Sequence, residues 1–197
     1  MHPWLLRPAS TAVSAQRRFD VSATMTASPT SSSPREVRLL ENRALLRHPN
    51  MQAFLAAIAL AEGGGYDFRY GAVRGRRNDP WRFSDYATHP GPGRGGKVTA
   101  AGMYQITRPT WREMGARMGL TDFSPETQDL AAVEILRTIG ADADILRGDL
   151  AAARDKASRR WSSLPRGKGL AGRYPPQPSI AFDAFASHYR TAGGTLA

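Results

Sequence analysis

Glu62 is the residue whose type and position most suggest chemistry in this 197-residue sequence. It lies four residues after Ile58 and so continues the apolar stripe Met51, Phe54, Leu55, Ile58 at helical spacing. Gly63-Gly64-Gly65 follow it directly and stop the helix there. Partial burial disfavours the charged form of a carboxylate, and the negative end of a helix dipole pushes the same way. A carboxyl group that keeps its proton near neutral pH can protonate a departing glycosidic oxygen. A plain solvated glutamate at a frayed helix end fits the position equally, since glutamate is usually exposed.

A second carboxylate would decide between mechanisms of glycoside cleavage. Asp67, Asp79 and Asp85 fall on or near a stretch with strand-like alternation, where one of them could face Glu62 across a cleft. Carboxyls about 5–5.5 Å apart suit a retaining enzyme and about 6.5–9.5 Å an inverting one. Each aspartate also suits a turn, for which Asp is favoured by its own backbone hydrogen bonds. Further on, Ala101-Gly102-Met103-Tyr104-Gln105 sets an aromatic hydroxyl and an amide together before a helix. Tyr104 and Gln105 could bind sugar hydroxyls and acetamido groups through paired donors and acceptors. Core packing of Tyr104 and capping by Gln105 are the competing roles. Trp111 and Trp161 sit on apolar helical stripes and read as core rather than as sugar platforms. His48, His89 and His188 are too scattered for a metal site, and no phosphate-cradling loop followed by Lys-Ser/Thr occurs. No cofactor is implied.

The elements that must hold these residues are mostly helical. Ser33-Pro34-Arg35-Glu36 reads as a helix cap with a proline at the first position, opening a helix to about Arg47. Asn50 reads as the cap of the helix that carries Glu62. Tyr66, Phe68 and Tyr70 alternate, as do Trp81 and Phe83, so the stretch from Gly65 to about Ser84 predicts a small β-hairpin or meander. Helices are predicted from Pro109 to Gly119, from Ser124-Pro125 to Gly140, after Asp149, and around Phe182, Phe185 and Tyr189. A glycine-rich basic run, Gly91 to Lys97, reads as a flexible loop and a lip of the cleft. Helices on both sides of one small hairpin make an α+β domain. Residues 1–33, ending in a Ser/Thr/Pro-rich run, read as a disordered tail or linker, and residues 34–197 as one domain.

Composition narrows the class. With 27 basic and 17 acidic residues the net charge is +10, which favours polyanionic partners. The absence of cysteine removes a thiol nucleophile, a thiolate metal site and disulfides. No run approaches the roughly 18 apolar residues of a membrane-spanning helix. Trp4-Leu5-Leu6 and Ala12 to Ala15 resemble parts of a signal peptide, but Arg7 and Pro8 interrupt the apolar stretch, so a functional signal is not expected. The arginines are spread over turns and helices without a recognition helix, so nucleic acid is not the expected partner.

The order of motifs resembles the bacteriophage lambda endolysin family, glycoside hydrolase family 104. The matching residues run collinearly from Asn50-x-x-Ala53-Phe54-Leu55 and Ala61-Glu62-Gly63 through Gly65-Tyr66-Asp67 and Phe83-Ser84-Asp85-Tyr86. They continue with His89-Pro90, Ala101-Gly102, Tyr104-Gln105, Gly119-Leu120, Asp122-Phe123-Ser124-Pro125, Gln128-Asp129 and Arg147-Gly148-Asp149. Trp161, Ser163-Leu164-Pro165 and Ala192-Gly193-Gly194-Thr195 close the series. The likeness spans about residues 50–197, and the stretch around Arg74 to Arg82 looks like an insertion within the hairpin.

The resemblance implies a lysozyme-like α+β fold with a cleft between a small β lobe and a helical lobe. It implies a lytic transglycosylase acting on the bond between N-acetylmuramic acid and N-acetylglucosamine in peptidoglycan. Glu62 would be its acid and then its base, with Tyr104, Gln105 and Asp85 as substrate-binding residues and no second catalytic carboxylate. Without a convincing signal the protein is expected to accumulate in the cytoplasm and to reach the wall through a holin or a similar route, and a monomer is the default expectation. A virion-associated role is an alternative. A hydrolytic lysozyme on the same fold and a non-catalytic wall-binding module are competing expectations, separated by product mass and by the effect of Glu62→Gln.

Overall fold

The computed structural model describes residues 32–197 apart from 165, 171 and 176. The expected tail, residues 1–33, lies outside the described residues except for its last two, as does the whole signal-like stretch. Ser33 caps α1 (Pro34–Leu46) as its sequence predicts: its hydroxyl accepts the Glu36 N–H, and the Glu36 carboxylate accepts the Ser33 N–H. The reciprocal pair satisfies donors that a helix start leaves unpaired.

Next comes α2 (Pro49–Glu62), and its cap is His48, whose Nδ1 accepts the Asn50 N–H at 3.2 Å. The expectation of an Asn50 cap is therefore corrected. Pro49 is pre-set for the first helical turn and moves the cap one residue back. Asn50, inside the helix and buried, instead accepts the Thr195 N–H and hydroxyl at 2.9 and 3.0 Å. It thereby pins the C-terminal segment to the start of the helix that ends at Glu62.

α3 (Arg108–Met118) stops at Gly119, and α4 (Pro125–Thr138) starts under the Ser124 hydroxyl. A six-residue helix, α5 (Asp142–Arg147), follows; it is too short for its periodicity to show in sequence. α6 (Leu150–Ala157) is capped by Asp149, and α7 (Phe182–Thr191) completes the series.

Apolar residues are buried nearly all round α2, which makes it the central helix of the domain. It packs against α7, α5, α1 and α4. Phe54 meets Phe185 edge-on at 5.2 Å and Tyr189 at 6.5 Å. Each large side chain so buried contributes about 1.5–3 kcal/mol. α1 docks differently, through polar groups. The fully buried Glu134 of α4 accepts two N–H bonds from Arg38, at 2.8 and 3.0 Å, and one from Asn42 at 2.8 Å. Such pairing is what makes a buried carboxylate tolerable. On α6, Arg154 is also fully buried and lies 4.0 Å from the Phe182 ring centre; burial pulls its proton affinity down to about 10.

The β lobe is a minimal meander. Residues 67–70 run between 81–83 on one side and 100–102 on the other, joined by antiparallel bridges Phe68–Arg82 and Arg69–Ala101, with a third from Ala101 to Ile106. The Arg69 N–H reaches the Trp81 carbonyl at 2.8 Å, and the Gly102 N–H reaches that of Phe68 at 2.7 Å. Turns at residues 66–67 and 70–71 leave only Phe68 and Arg69 of this segment in bridges. The Gly91–Lys97 run, expected as a flexible lip, is hydrogen-bonded onto this meander through Arg94 N–H to the Tyr70 carbonyl at 2.8 Å. Gly93 is required there, because a Cβ would lie 2.2 Å from the Tyr70 oxygen.

Candidate active site

Glu62 is the last residue of α2, and the backbone beyond it turns away at once. Gly63 takes a left-handed φ of 63°, its N–H bonds the Leu60 carbonyl, and the Gly64 N–H reaches back to that of Ala59. This closure consumes the last carbonyls of the helix and needs glycine at the left-handed position. It leaves the Glu62 side chain half-buried at the wall of a cleft of about 660 Å³.

One wall of that cleft comes from the β lobe, residues 68–72, with 98, 100, 105 and 107 alongside; the other comes from 160–163 with 177 and 178. Among the described lining residues Glu62 is the sole carboxylate. Its Oε1 accepts the Ser163 hydroxyl at 2.5 Å, and its Oε2 has no hydrogen-bond partner among the described residues. Burial pushes the Glu62 proton affinity up, the Ser163 hydroxyl offsets part of that, and the net shift is upward. The arrangement holds a proton donor with one oxygen clamped and the other open to the cleft, the geometry a general acid needs.

The expected site residues do not all gather here. Gln105 does line the cleft. Its backbone sits at a left-handed φ of 48°, and its side-chain N–H bonds the Gly102 carbonyl at 3.0 Å, which turns the amide oxygen free. Tyr104, its neighbour, faces elsewhere. A buried phenol needs an acceptor, and Tyr104 finds one in Asp129 at 2.7 Å, at the wall of a second cavity of about 720 Å³ lined mainly by α2. The Tyr104 carbonyl still serves the cleft, taking the indole N–H of Trp161 at 2.9 Å. Trp161 is 4% exposed and forms part of the cleft floor, so it is core and lining at once.

Asp85 lines neither cavity; it is exposed and accepts the Ala87 N–H at 2.8 Å, a turn-capping bond. Asp67 is occupied by Arg82 at 2.6 Å. Asp79 accepts the N–H groups of Trp81 and Val73, which hold its proton affinity down. All three candidate second carboxylates thus behave as local fasteners of the meander. His89 is structural as well: Nδ1 accepts the Gly91 N–H, so Nε2 carries the proton that reaches the Ile106 carbonyl at 3.0 Å. No group of three potential metal ligands occurs among the described residues.

Ser163, Arg69 and Arg160 are lining residues that sequence reasoning did not single out. Only Ser163 left a trace, as part of the Ser163-Leu164-Pro165 motif. Gln128, quoted in sequence only within the Gln128-Asp129 motif, lines neither cavity but is fully buried and ties three segments: it donates to the Tyr66 and Phe123 carbonyls at 3.0 and 2.9 Å and accepts the Met103 N–H at 2.9 Å.

Comparisons with known proteins agree with this layout. The family model described as Endolysin matches residues 52–196. The endolysin of Escherichia phage P2 is 34% identical over 168 residues, covering 76% of this chain and 96% of the relative. The endolysin of Escherichia phage lambda is 33% identical over 161 residues, covering 74% and 92%. Among solved structures, bacteriophage lambda lysozyme complexed with a chitohexasaccharide superposes with a TM-score of 0.64 at 31% identity, over 76% of this chain and 97% of the other. A second structure of lysozyme from bacteriophage lambda gives 0.60 at 30% identity, with the same coverage. On the strength of the family match, the two relatives and the shared lysozyme fold, this chain belongs to the endolysin family, the peptidoglycan-degrading enzymes of bacteriophages.

Proposed function

We propose that this chain cleaves the β-1,4 bond between N-acetylmuramic acid and N-acetylglucosamine by lytic transglycosylation, with Glu62 as acid and then base. In the first step the Glu62 proton passes to the glycosidic oxygen as the bond from muramic C1 to that oxygen breaks. In the second, the muramic acid's own C6 hydroxyl attacks C1 and gives its proton to the Glu62 carboxylate. The products are a free N-acetylglucosamine 4-hydroxyl and a 1,6-anhydro-muramic end. Glu62 finishes protonated, and no water is consumed.

The observation that carries this reading is a single carboxyl in the cleft, raised by burial, with one oxygen fixed by Ser163 and the other free. One group that gives and then retakes a proton requires nothing further. A water-activating second carboxylate is needed only for hydrolysis, and none lines the cleft among the described residues. The protein would accumulate in the cytoplasm as a monomer and act once released to the wall.

Mass spectrometry of fragments released from purified peptidoglycan tests the proposal. Fragments one water lighter than hydrolysis products, absent with Glu62→Gln, are the expected result. Full-mass reducing ends would replace transglycosylation by hydrolysis. Wall lysis by Glu62→Gln at the wild-type rate would remove Glu62 from the chemistry altogether.

A further inference from the structure

Beside Glu62, the described lining of the catalytic cleft holds two charged side chains, and both are arginines, from separate segments of the chain. Arg69 comes from the central segment of the meander, and Arg160 from the turn after α6. Neither makes an ion pair or a side-chain hydrogen bond among the described residues, although Arg38, Arg43, Arg82, Arg117, Arg137, Arg147, Arg159 and Arg173 all find carboxylates.

Arg69 carries a second anomaly. Its Nε is sealed from solvent yet has no acceptor. A buried N–H without a partner is costly, so an acceptor brought into the cleft close to this guanidinium would be favoured. The two arginines are not counter-ions of the acid either. The proton affinity of Glu62 is set by burial and Ser163, with no contribution from either guanidinium. Two planar cations face a cleft whose one carboxyl among the described residues neither of them serves.

We infer that Arg69 and Arg160 bind carboxylates borne by the muramyl residues of the substrate, so that the cleft distinguishes muramyl strands from neutral N-acetylglucosamine oligomers. This rests on the proposal that the cleft takes peptidoglycan glycan. A guanidinium presents parallel N–H donors that match a carboxylate, whereas neutral hydroxyls and acetamido groups gain little from a full positive charge. Muramyl residues offer such groups in two places: the lactyl ether, when no peptide is attached, and the acidic residues and terminus of a peptide stem. Arg69, partly withdrawn from water, supplies the stronger contact. Arg160 is exposed and acts more through attraction that salt screens.

The experiment uses the full chain carrying Glu62→Gln, which stops cleavage, and measures binding of three probes: chitohexasaccharide, amidase-treated strands with free lactyl carboxylates, and strands with stems intact. The muramyl strands are expected to bind the tighter, and adding Arg69→Gln should weaken them about ten-fold and Arg160→Gln about three-fold, while altering chitohexasaccharide less than about two-fold. A preference for amidase-treated strands assigns the arginines to the lactyl carboxylate, which an attached stem converts to an amide; a preference for stem-bearing strands assigns them to the stem, and equal affinity means that either carboxylate serves. Equal weakening of all three probes overturns the inference, as does an equal loss of preference with Arg76→Gln, an exposed charge outside the cleft. Arg160→Gln alone decides the matter if Arg69→Gln fails to fold. If the parent binds no probe and the wild type releases nothing from peptidoglycan, the glycan reading itself fails, a result distinct from binding without preference.

Discussion

Two half-buried carboxyls sit at the walls of two cavities of similar size, and they differ in how many partners they hold. Glu62 ends α2 in the cleft between the lobes; Asp129 lies on α4 at the wall of a cavity lined mainly by α2. Burial pushes the proton affinity of both upward. Asp129 is nevertheless fully engaged. Its Oδ1 accepts the hydroxyls of Tyr104 and Tyr66 at 2.7 and 2.9 Å, and its Oδ2 shares the Tyr66 hydroxyl at 3.1 Å. The tyrosines feel the carboxylate in turn, and Tyr66 is pushed up to about 12, with burial the leading cause. Glu62 has one hydroxyl on one oxygen. A raised proton affinity therefore does not by itself mark a catalytic acid. What separates the two groups is the number of lone pairs already committed: Asp129 knots three segments together, while Glu62 keeps one oxygen without a partner among the described residues.

The largest expected effect is at Glu62. Glu62→Gln should lower kcat by about 10²–10⁴-fold, measured on purified peptidoglycan. The same change should raise the melting temperature at neutral pH. A carboxyl whose folded pKa lies above its unfolded value binds its proton more tightly when folded. Its favourable contribution is complete below the unfolded pKa and is lost as pH rises through the folded one. At pH 7 the wild-type fold carries the cost of a buried charge, and glutamine does not. Thermal melts at pH 7 and pH 4 should show a gain for the variant at pH 7 and a smaller one at pH 4. A loss of stability at both would mean that the Glu62 carboxylate is a fold-holding group like Asp129.

Asp129→Ala should do the reverse. It strands two tyrosine hydroxyls, one of them on a residue only 5% exposed, and should cost about 2–4 kcal/mol of stability by denaturant titration. Activity per folded molecule should stay close to wild type. A fall in kcat comparable to that of Glu62→Gln, with the fold intact, would erase the distinction and place Asp129 in the reaction.

This difference between the carboxyls marks how far the sequence could be read. Periodicity, a following glycine stop and the collinear motifs were enough to place Glu62 at a helix end in a cleft, because each is a local property of the chain. The Ser33, Ser124 and Asp149 caps were legible for the same reason. What was not legible depends on distant partners. Tyr104 and Gln105 are adjacent in sequence, yet a buried phenol drawn to an aspartate 25 residues away sends one into each cavity. Asp85 and Asp129 are the same residue type in equally matched motifs; that one caps a turn and the other ties two tyrosines follows only from packing. Asn50 looked like a cap because its partner, Thr195, is 145 residues away. Ser163, 101 residues beyond Glu62, could not be paired with it from spacing at all.

The smallest effect is expected at Ser163, and it refines the comparison most. Its hydroxyl is the one bond to the Glu62 carboxyl among the described residues, and it favours the charged form against burial. Ser163→Ala removes the opposing influence and leaves burial alone, so the Glu62 proton affinity should rise further. Because the reaction begins with Glu62 protonated, the high-pH limb of kcat/KM should move to higher pH, while the maximal rate falls only a few-fold through looser aim of the carboxyl. Ser163→Thr, which keeps the hydroxyl, should return the limb toward its wild-type position. If Ser163→Ala moves the limb to lower pH, then burial is not what governs Glu62, and some other group sets its proton affinity. If the limb stays fixed while kcat collapses, Ser163 acts by aiming the carboxyl. Glu62 would then depend on its neighbour for position, as Asp129 does on its tyrosines, and the contrast between the two cavities would narrow to geometry.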